Sequence, residues 1–158
     1  MYKRQIRGPH PRNYLQETAG GPWTDVTEMD PSMGGAAGQL VSTPRDLLRF
    51  FQALVGGQLL APAQLREMQT TVPATDIAVR PTPEQYGLGL ATFTLSCGGT
   101  AWTHGGDLPG THSREAVTAD GRGVSIVVTG DPANADPADL HQFLHLEEAV
   151  DAALCATD

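Results

Sequence analysis

The sequence predicts an α+β fold: an antiparallel sheet with a C-terminal helix packed on it, preceded by a helical and looped N-terminal half. Three observations carry this. Two segments, starting near Pro44 and Pro137, combine helix-start signals with a 3.6-residue apolar period. Between Tyr86 and Thr129, apolar residues alternate with small or polar ones in short runs separated by Gly-Gly and Asp-Gly. The first 38 residues are dense in Gly, Pro, Thr and Asp and sustain neither period.

In chain order, residues 1–43 read as a loop-rich region, and a stretch of that length inside a compact domain points to a function or to an additional packing partner. Thr43-Pro44-Arg45-Asp46 supplies an N-cap hydroxyl, a proline at the first helical position and an acid three places on, a variant of the capping box. A helix is therefore predicted over 44–55, with Leu47, Leu48, Phe51, Leu54 and Val55 on one face and Gly56-Gly57 as its stop. A shorter helix from Pro62 to Gln69, with Leu65 and Met68 inward, completes a helical region over 44–70 and leads into a Pro- and Thr-rich loop, 71–83. Residues 84–158 hold about four strands and the terminal helix. The strands are one run over 86–95, Thr100–Thr103 after a Gly-Gly turn, and the pair 113–118 and 124–129 around Asp120-Gly121. The terminal helix opens on Asp136-Pro137-Ala138-Asp139 and places Leu140, Phe143, Leu144, Val150 and Leu154 on one face.

Composition narrows function. The 158 residues suit one domain, 1–158, with 40% hydrophobic and 18% charged residues. The net charge is −8 and the single lysine is Lys3, which argues against nucleic acid, since phosphate binding needs clustered Lys and Arg. No apolar run approaches the ~20 residues of a membrane span, and the polar start, MYKRQIRGPHPRNY, has no signal-peptide h-region, so the chain as written is expected to be cytoplasmic. Cys97 and Cys155 fit either two free core thiols or a bridge. His141 and His145 have the i, i+4 spacing of metal ligands, but no Glu follows His141 and no third ligand is indicated, so they read as a solvated helix face and no metal or cofactor is expected. Ser32, Ser42, Ser96, Ser113 and Ser125 stand in no Gly-x-Ser-x-Gly and have no local base.

The ordered set of helix, short helix, Tyr-Gly-Leu-Gly-Leu strand, His104-Gly105-Gly106, Asp107-Leu108-Pro109-Gly110, Asp-Gly hairpin and terminal helix resembles the C-terminal part of the penicillin-recognising serine hydrolases, the class C β-lactamase and D-alanyl-D-alanine carboxypeptidase family. The phrases Gly38-Gln39-Leu40-Val41-Ser42-Thr43-Pro44-Arg45-Asp46-Leu47 and Gly8-Pro9-His10-Pro11-Arg12-Asn13-Tyr14 resemble that family too, so nearly the whole chain is covered. The resemblance implies a partial β-lactamase/transpeptidase-like fold and a Cys97–Cys155 disulfide like that of exported actinomycete DD-peptidases. It also implies a parent enzyme, itself exported, that acts on D-Ala-D-Ala peptides, β-lactams or small esters.

Acyl transfer in such enzymes needs a Ser-x-x-Lys nucleophile, a Tyr- or Ser-based proton relay and a strand motif that binds substrate. Lys3 has no serine three positions before it, and Tyr2, Tyr14 and Tyr86 are followed two places on by Arg4, Gln16 and Leu88, so neither Ser-x-x-Lys nor Tyr-x-Asn occurs in these residues. The third motif remains as His104-Gly105-Gly106. By resemblance, His104 sets the electrostatics of the cleft, Gly106 admits the substrate backbone, and the Asp107 N–H is one of two oxyanion donors. Gly105 offers no hydroxyl to a substrate carboxylate, and the Asp107 carboxylate is expected close to the developing oxyanion. Met33 sits where relatives offer an aromatic rim. The leading expectation is a C-terminal fragment inactive alone, lacking an N-terminal segment that would cover one sheet edge and part of an apolar face. The alternatives are a non-catalytic module binding peptidoglycan or a partner, and one half of a split enzyme.

Overall fold

The computed structural model describes residues 6, 8–74, 84–132 and 137–156. Within the stretch expected to be loop, β1 (Tyr14–Gln16) and β2 (Trp23–Asp25) form a small antiparallel ladder, tied by a bridge between Leu15 and Asp131 to the segment just after the last strand of the main sheet. A 3-10 turn (Pro31–Gly34) and a single helical turn, α1 (Gly35–Gly38), follow. Three-residue strands carry too short a period to be read from sequence.

The expected helices form at their expected places. In α2 (Pro44–Val55), the Thr43 hydroxyl accepts from the Asp46 N–H at 3.1 Å and donates to its carboxylate at 2.9 Å. A cap of this kind is worth about 1 kcal/mol. Phe51 and Leu54 are buried, with Leu47, Leu48 and Val55 packed beside them. The next helix, α3 (Pro62–Met68), turns Leu65 and Met68 partly inward, and the Met68 carbonyl accepts the Leu88 N–H at 3.0 Å.

The main sheet has six strands rather than about four, all antiparallel, in the order β3 (Val72–Ala74), β4 (Glu84–Tyr86), β5 (Ala91–Thr94), β6 (Thr100–Leu108), β7 (Thr111–Thr118) and β8 (Gly123–Val128). The strand read over 86–95 is two. The Gly87 N–H bonds the Leu90 carbonyl at 2.7 Å, and Gly89 takes φ +77°, so the chain reverses inside the Gly-Leu-Gly-Leu stretch despite its even alternation. The remaining extra strand, β3, lies in the segment expected to be loop, of which 75–83 fall outside the described residues. β6 runs on five residues past the expected Thr103 to Leu108 and therefore contains the His-Gly-Gly stretch. Asp120-Gly121 turns the last hairpin, with Gly121 at φ +90°.

Strand alternation gives the sheet two apolar faces. The terminal helix, α4 (Pro137–Cys155), covers one, where Phe93, Leu95, Ala101 and Ala116 meet Val150 and Leu154. Leu146 is also buried on α4 although it was not expected there, whereas Leu144 is half-buried, and the side chains of Leu140 and Phe143 lie outside the described residues. On the other face, Leu90 and Val117 pack against Phe51 and Leu54 of α2, with Trp102 at the margin. Among the described residues β8 pairs with β7 alone, and Val127 on it is 40% exposed.

Cys97, in the turn after β5, is bonded to Cys155, the last residue of α4, closing a separation of 58 residues. The free-thiol alternative therefore falls. Ser96 reinforces the join, its N–H donating to the Asp151 carboxylate at 2.8 Å. Among the described residues no helix is long and apolar enough to cross a membrane.

Candidate active site

β6 carries His104-Gly105-Gly106 beyond the end of its ladder with β5. The ladder with β5 ends at Ala91 opposite Thr103, while the ladder with β7 continues through His104↔Glu115, Gly105↔Arg114, Gly106↔Ser113 and Asp107↔His112 to Leu108↔Thr111. Among the described residues, β6 from His104 onward is thus paired on one side only by these ladders. His104 is exposed, and its Nε2 lies 3.2 Å from the Tyr86 hydroxyl at the end of β4. The two rings stand edge to face with centroids 6.4 Å apart.

Alternation along β6 assigns His104 and Gly106 to the face of Trp102 and Gly105 and Asp107 to the face of Ala101, the face covered by α4. That separation sets the direction of the Asp107 side chain. Its carboxylate accepts from Arg114 Nη1 at 3.1 Å and lies 2.9 Å from His112 Nδ1, on the side of the sheet away from His104. Its negative charge is therefore directed away from where His104 and Gly106 would meet a ligand, while its backbone remains in the strand. Burial alone would raise the Asp107 pKa, but the His112 and Arg114 contacts outweigh it and hold the carboxyl below its ordinary range.

Arg114 explains Gly105. A Cβ at Gly105 would lie within 2.9 Å of the Arg114 Cζ, so a threonine or serine there would displace the guanidinium. Arg114 is 8% exposed and also donates through Nε to Glu147 of α4 at 2.9 Å and through Nη1 to the Ser113 carbonyl at 2.6 Å. Burial works against its charge, and Asp107 and Glu147 more than restore it, leaving its pKa raised. His112 Nε2 lies 3.5 Å from Asp131, whose other oxygen accepts the Gly110 N–H at 3.2 Å, so the tight turn after β6 is held from the same cluster. On the opposite face, Glu115 is 2% exposed, with Ser125 and Ser113 hydroxyls at 3.2 and 3.4 Å; its burial pushes its pKa up in spite of these contacts.

At the far end of β6, the turn carrying Met33 comes close. A Cβ at Gly34, the last residue of that turn, would lie 4.0 Å from Leu108, and Met33 itself is 62% exposed. His145 is exposed on α4, the side chain of His141 lies outside the described residues, and no His, Cys, Asp and Glu side chains among the described residues form a metal-binding group. Tyr86, Arg114, His112 and Glu147 were missed by sequence reasoning. The available signal was a run of charge, His112 to Glu115, within a strand-forming segment, a pattern that implies paired charges once buried.

The chain is similar over 98% of its length to a D-stereospecific amidohydrolase from Streptomyces sp., at 34% identity and a TM-score of 0.77, and spans 42% of that protein. It is similar over 90% of its length to the D-amino acid amidase of Ochrobactrum anthropi SV3, solved with L-phenylalanine amide, at 28% identity and a TM-score of 0.69, spanning 40% of it. A penicillin binding protein from Bacillus halodurans, at 19% identity and a TM-score of 0.58, shares the fold over 87% of the chain, which spans 39% of it. The chain thus covers about two fifths of the structures it resembles. The Beta-lactamase family model matches residues 2–149, from before β1 into α4. On that match, and on a fold shared over nearly its whole length with these hydrolases, the chain belongs to the beta-lactamase family.

Proposed function

We propose that these residues form the substrate-binding strand of a serine amidohydrolase or peptidase and leave the nucleophile and its base to a segment bearing Ser-x-x-Lys and Tyr-x-Asn. One observation carries the reading: His104-Gly105-Gly106 lies on the part of β6 that extends beyond β5, with His104 exposed beside an edge that can pair with an extended backbone. In this reading His104 presents a polar ring atom to the substrate, Gly106 lets its backbone approach, and the Asp107 N–H supplies one oxyanion donor while its carboxylate is turned away. The other donor comes with the nucleophile.

Arg114, the buried cation nearest the motif, lies on the α4 side and is engaged by Asp107 and Glu147. This supports a substrate whose bound end is a neutral amide or ester rather than a free carboxylate, in keeping with the amidohydrolase and amidase among its relatives. The Cys97–Cys155 bridge supports an oxidising, exported setting, since disulfides rarely persist in the cytosol. The 158 residues alone are inactive in this reading, because positioned donors without a nucleophile form no acyl-enzyme. Incubation with D-phenylalanine amide, nitrocefin and a fluorescent penicillin tests this: no turnover and no covalent label are expected, and labelling of the chain would refute it.

A further inference from the structure

The imidazole of His104 has one structural partner among the described residues, and it comes from a strand two places away in the sheet. Tyr86 ends β4, and its hydroxyl lies 3.2 Å from His104 Nε2. Tyr86 is half-buried, and its backbone is anchored immediately afterwards. The Gly87 N–H is bonded to the Leu90 carbonyl at 2.7 Å and the Leu88 N–H to the Met68 carbonyl at 3.0 Å. A Cβ at Gly87 would collide with that Met68 carbonyl, so the tight approach of this turn to the end of α3 requires glycine.

We propose that Tyr86 is a positioning residue for His104. Its phenol O–H donates to Nε2, which fixes the neutral imidazole as the Nδ1–H tautomer and leaves that N–H as the donor offered to a ligand. A neutral imidazole has one donor and one acceptor nitrogen, and a partner on one decides the role of the other. The alternative, Nε2–H donating to the phenol oxygen, uses the weaker acceptor of the pair. An uncharged N–H donor suits a carbonyl oxygen of an amide or ester, and that consequence rests on the hydrolase reading above. The tautomer does not, so the two fail separately: activity assays report on the first and nitrogen chemical shifts on the second.

The test is long-range proton–nitrogen NMR of the nitrogen-15-labelled 158-residue chain at about pH 8, where an ordinary histidine is neutral. The wild-type spectrum should show His104 with a pyridine-like Nε2 and a protonated Nδ1. Tyr86→Phe keeps the ring and removes the donor, and should move His104 towards the Nε2–H form that unconstrained imidazoles favour, with the buried His112 unchanged as the internal control. A wild-type His104 already in the Nε2–H form or an unconstrained mixture would overturn the proposal, as would a Tyr86→Phe spectrum in which His104 does not move. If Tyr86→Phe does not fold, the wild-type spectrum decides alone.

Discussion

Replacing both cysteines by serine, Cys97→Ser with Cys155→Ser, should be among the most costly double substitutions in this chain. The bridge spans 58 residues, and constraining a loop of that length in the unfolded chain is worth about 4 kcal/mol in the chain-entropy model. Set against a net stability of ~5–15 kcal/mol for a whole domain, that is a quarter or more of what holds it folded. The loss should concentrate where the bridge acts, at the junction of α4 with the turn after β5. There the Ser96–Asp151 hydrogen bonds remain as the local tie, with Leu154 buried beside it. Urea unfolding followed by tryptophan fluorescence measures it. With an m-value of ~2 kcal/mol/M, the midpoint should fall by ~2 M, with little change in the slope expressed per exposed area. Equal midpoints for the bridged protein and the double variant would refute the reasoning, as would two freely alkylated thiols in oxidised native protein.

Arg114→Met should cost about 3 kcal/mol, read from the same unfolding midpoints, because it leaves Glu147 and Asp107 without the cation between them; a loss under about 1 kcal/mol would mean the network is incidental. Gly105→Thr, which puts a hydroxyl residue at the middle of the motif, should cost about 1–3 kcal/mol by crowding Arg114, and unchanged stability would contradict the packing described. Asp107 and Glu115, the perturbed carboxyls beside the motif, should act oppositely with pH. Asp107, with its folded pKa lowered, contributes stability that is present above its unfolded value and lost as pH falls through the folded one. Glu115, with its folded pKa raised, binds its proton more tightly when folded, so its contribution declines as pH rises from the unfolded value through the folded one. Glu115→Gln should therefore gain on the wild type as pH rises from about 4 to 7, and a difference between the two proteins that stays flat over that range would sink the assignment.

How much of this was legible in the sequence depended on whether the signal was local. The helix over 44–55 appeared as read, because Thr43, Pro44 and Asp46 cap it and Gly56 ends it without help from elsewhere. The Asp120-Gly121 hairpin was legible for the same reason. The strand read as 86–95 was not, since an alternating pattern is indifferent to a reversal inside it, and only the pairing of Gly87 with Leu90 shows the turn. The three-residue strands β1 to β4 are made by their partners rather than by propensity. At the candidate site, the ordered motifs singled out His104, Gly105 and Gly106, whereas the direction of the Asp107 side chain depended on strand register, which placed it with Arg114 on the α4 side. Tyr86 reaches His104 only through that six-stranded order, and Glu147 reaches Arg114 from 33 residues further along the chain.

The central claim is that this chain supplies the binding strand of a hydrolase site whose nucleophile lies on another segment. Fusing the 158 residues to the Ser-x-x-Lys- and Tyr-x-Asn-bearing segment of a related amidohydrolase, and measuring hydrolysis of D-phenylalanine amide and covalent labelling by a fluorescent penicillin, tests it most directly. The account predicts no activity from the chain alone, turnover or labelling from the fusion, and a loss of about a hundredfold or more when His104→Ala is introduced into the fusion. Turnover or labelling by the unfused chain, or a folded fusion indifferent to His104→Ala, would contradict it.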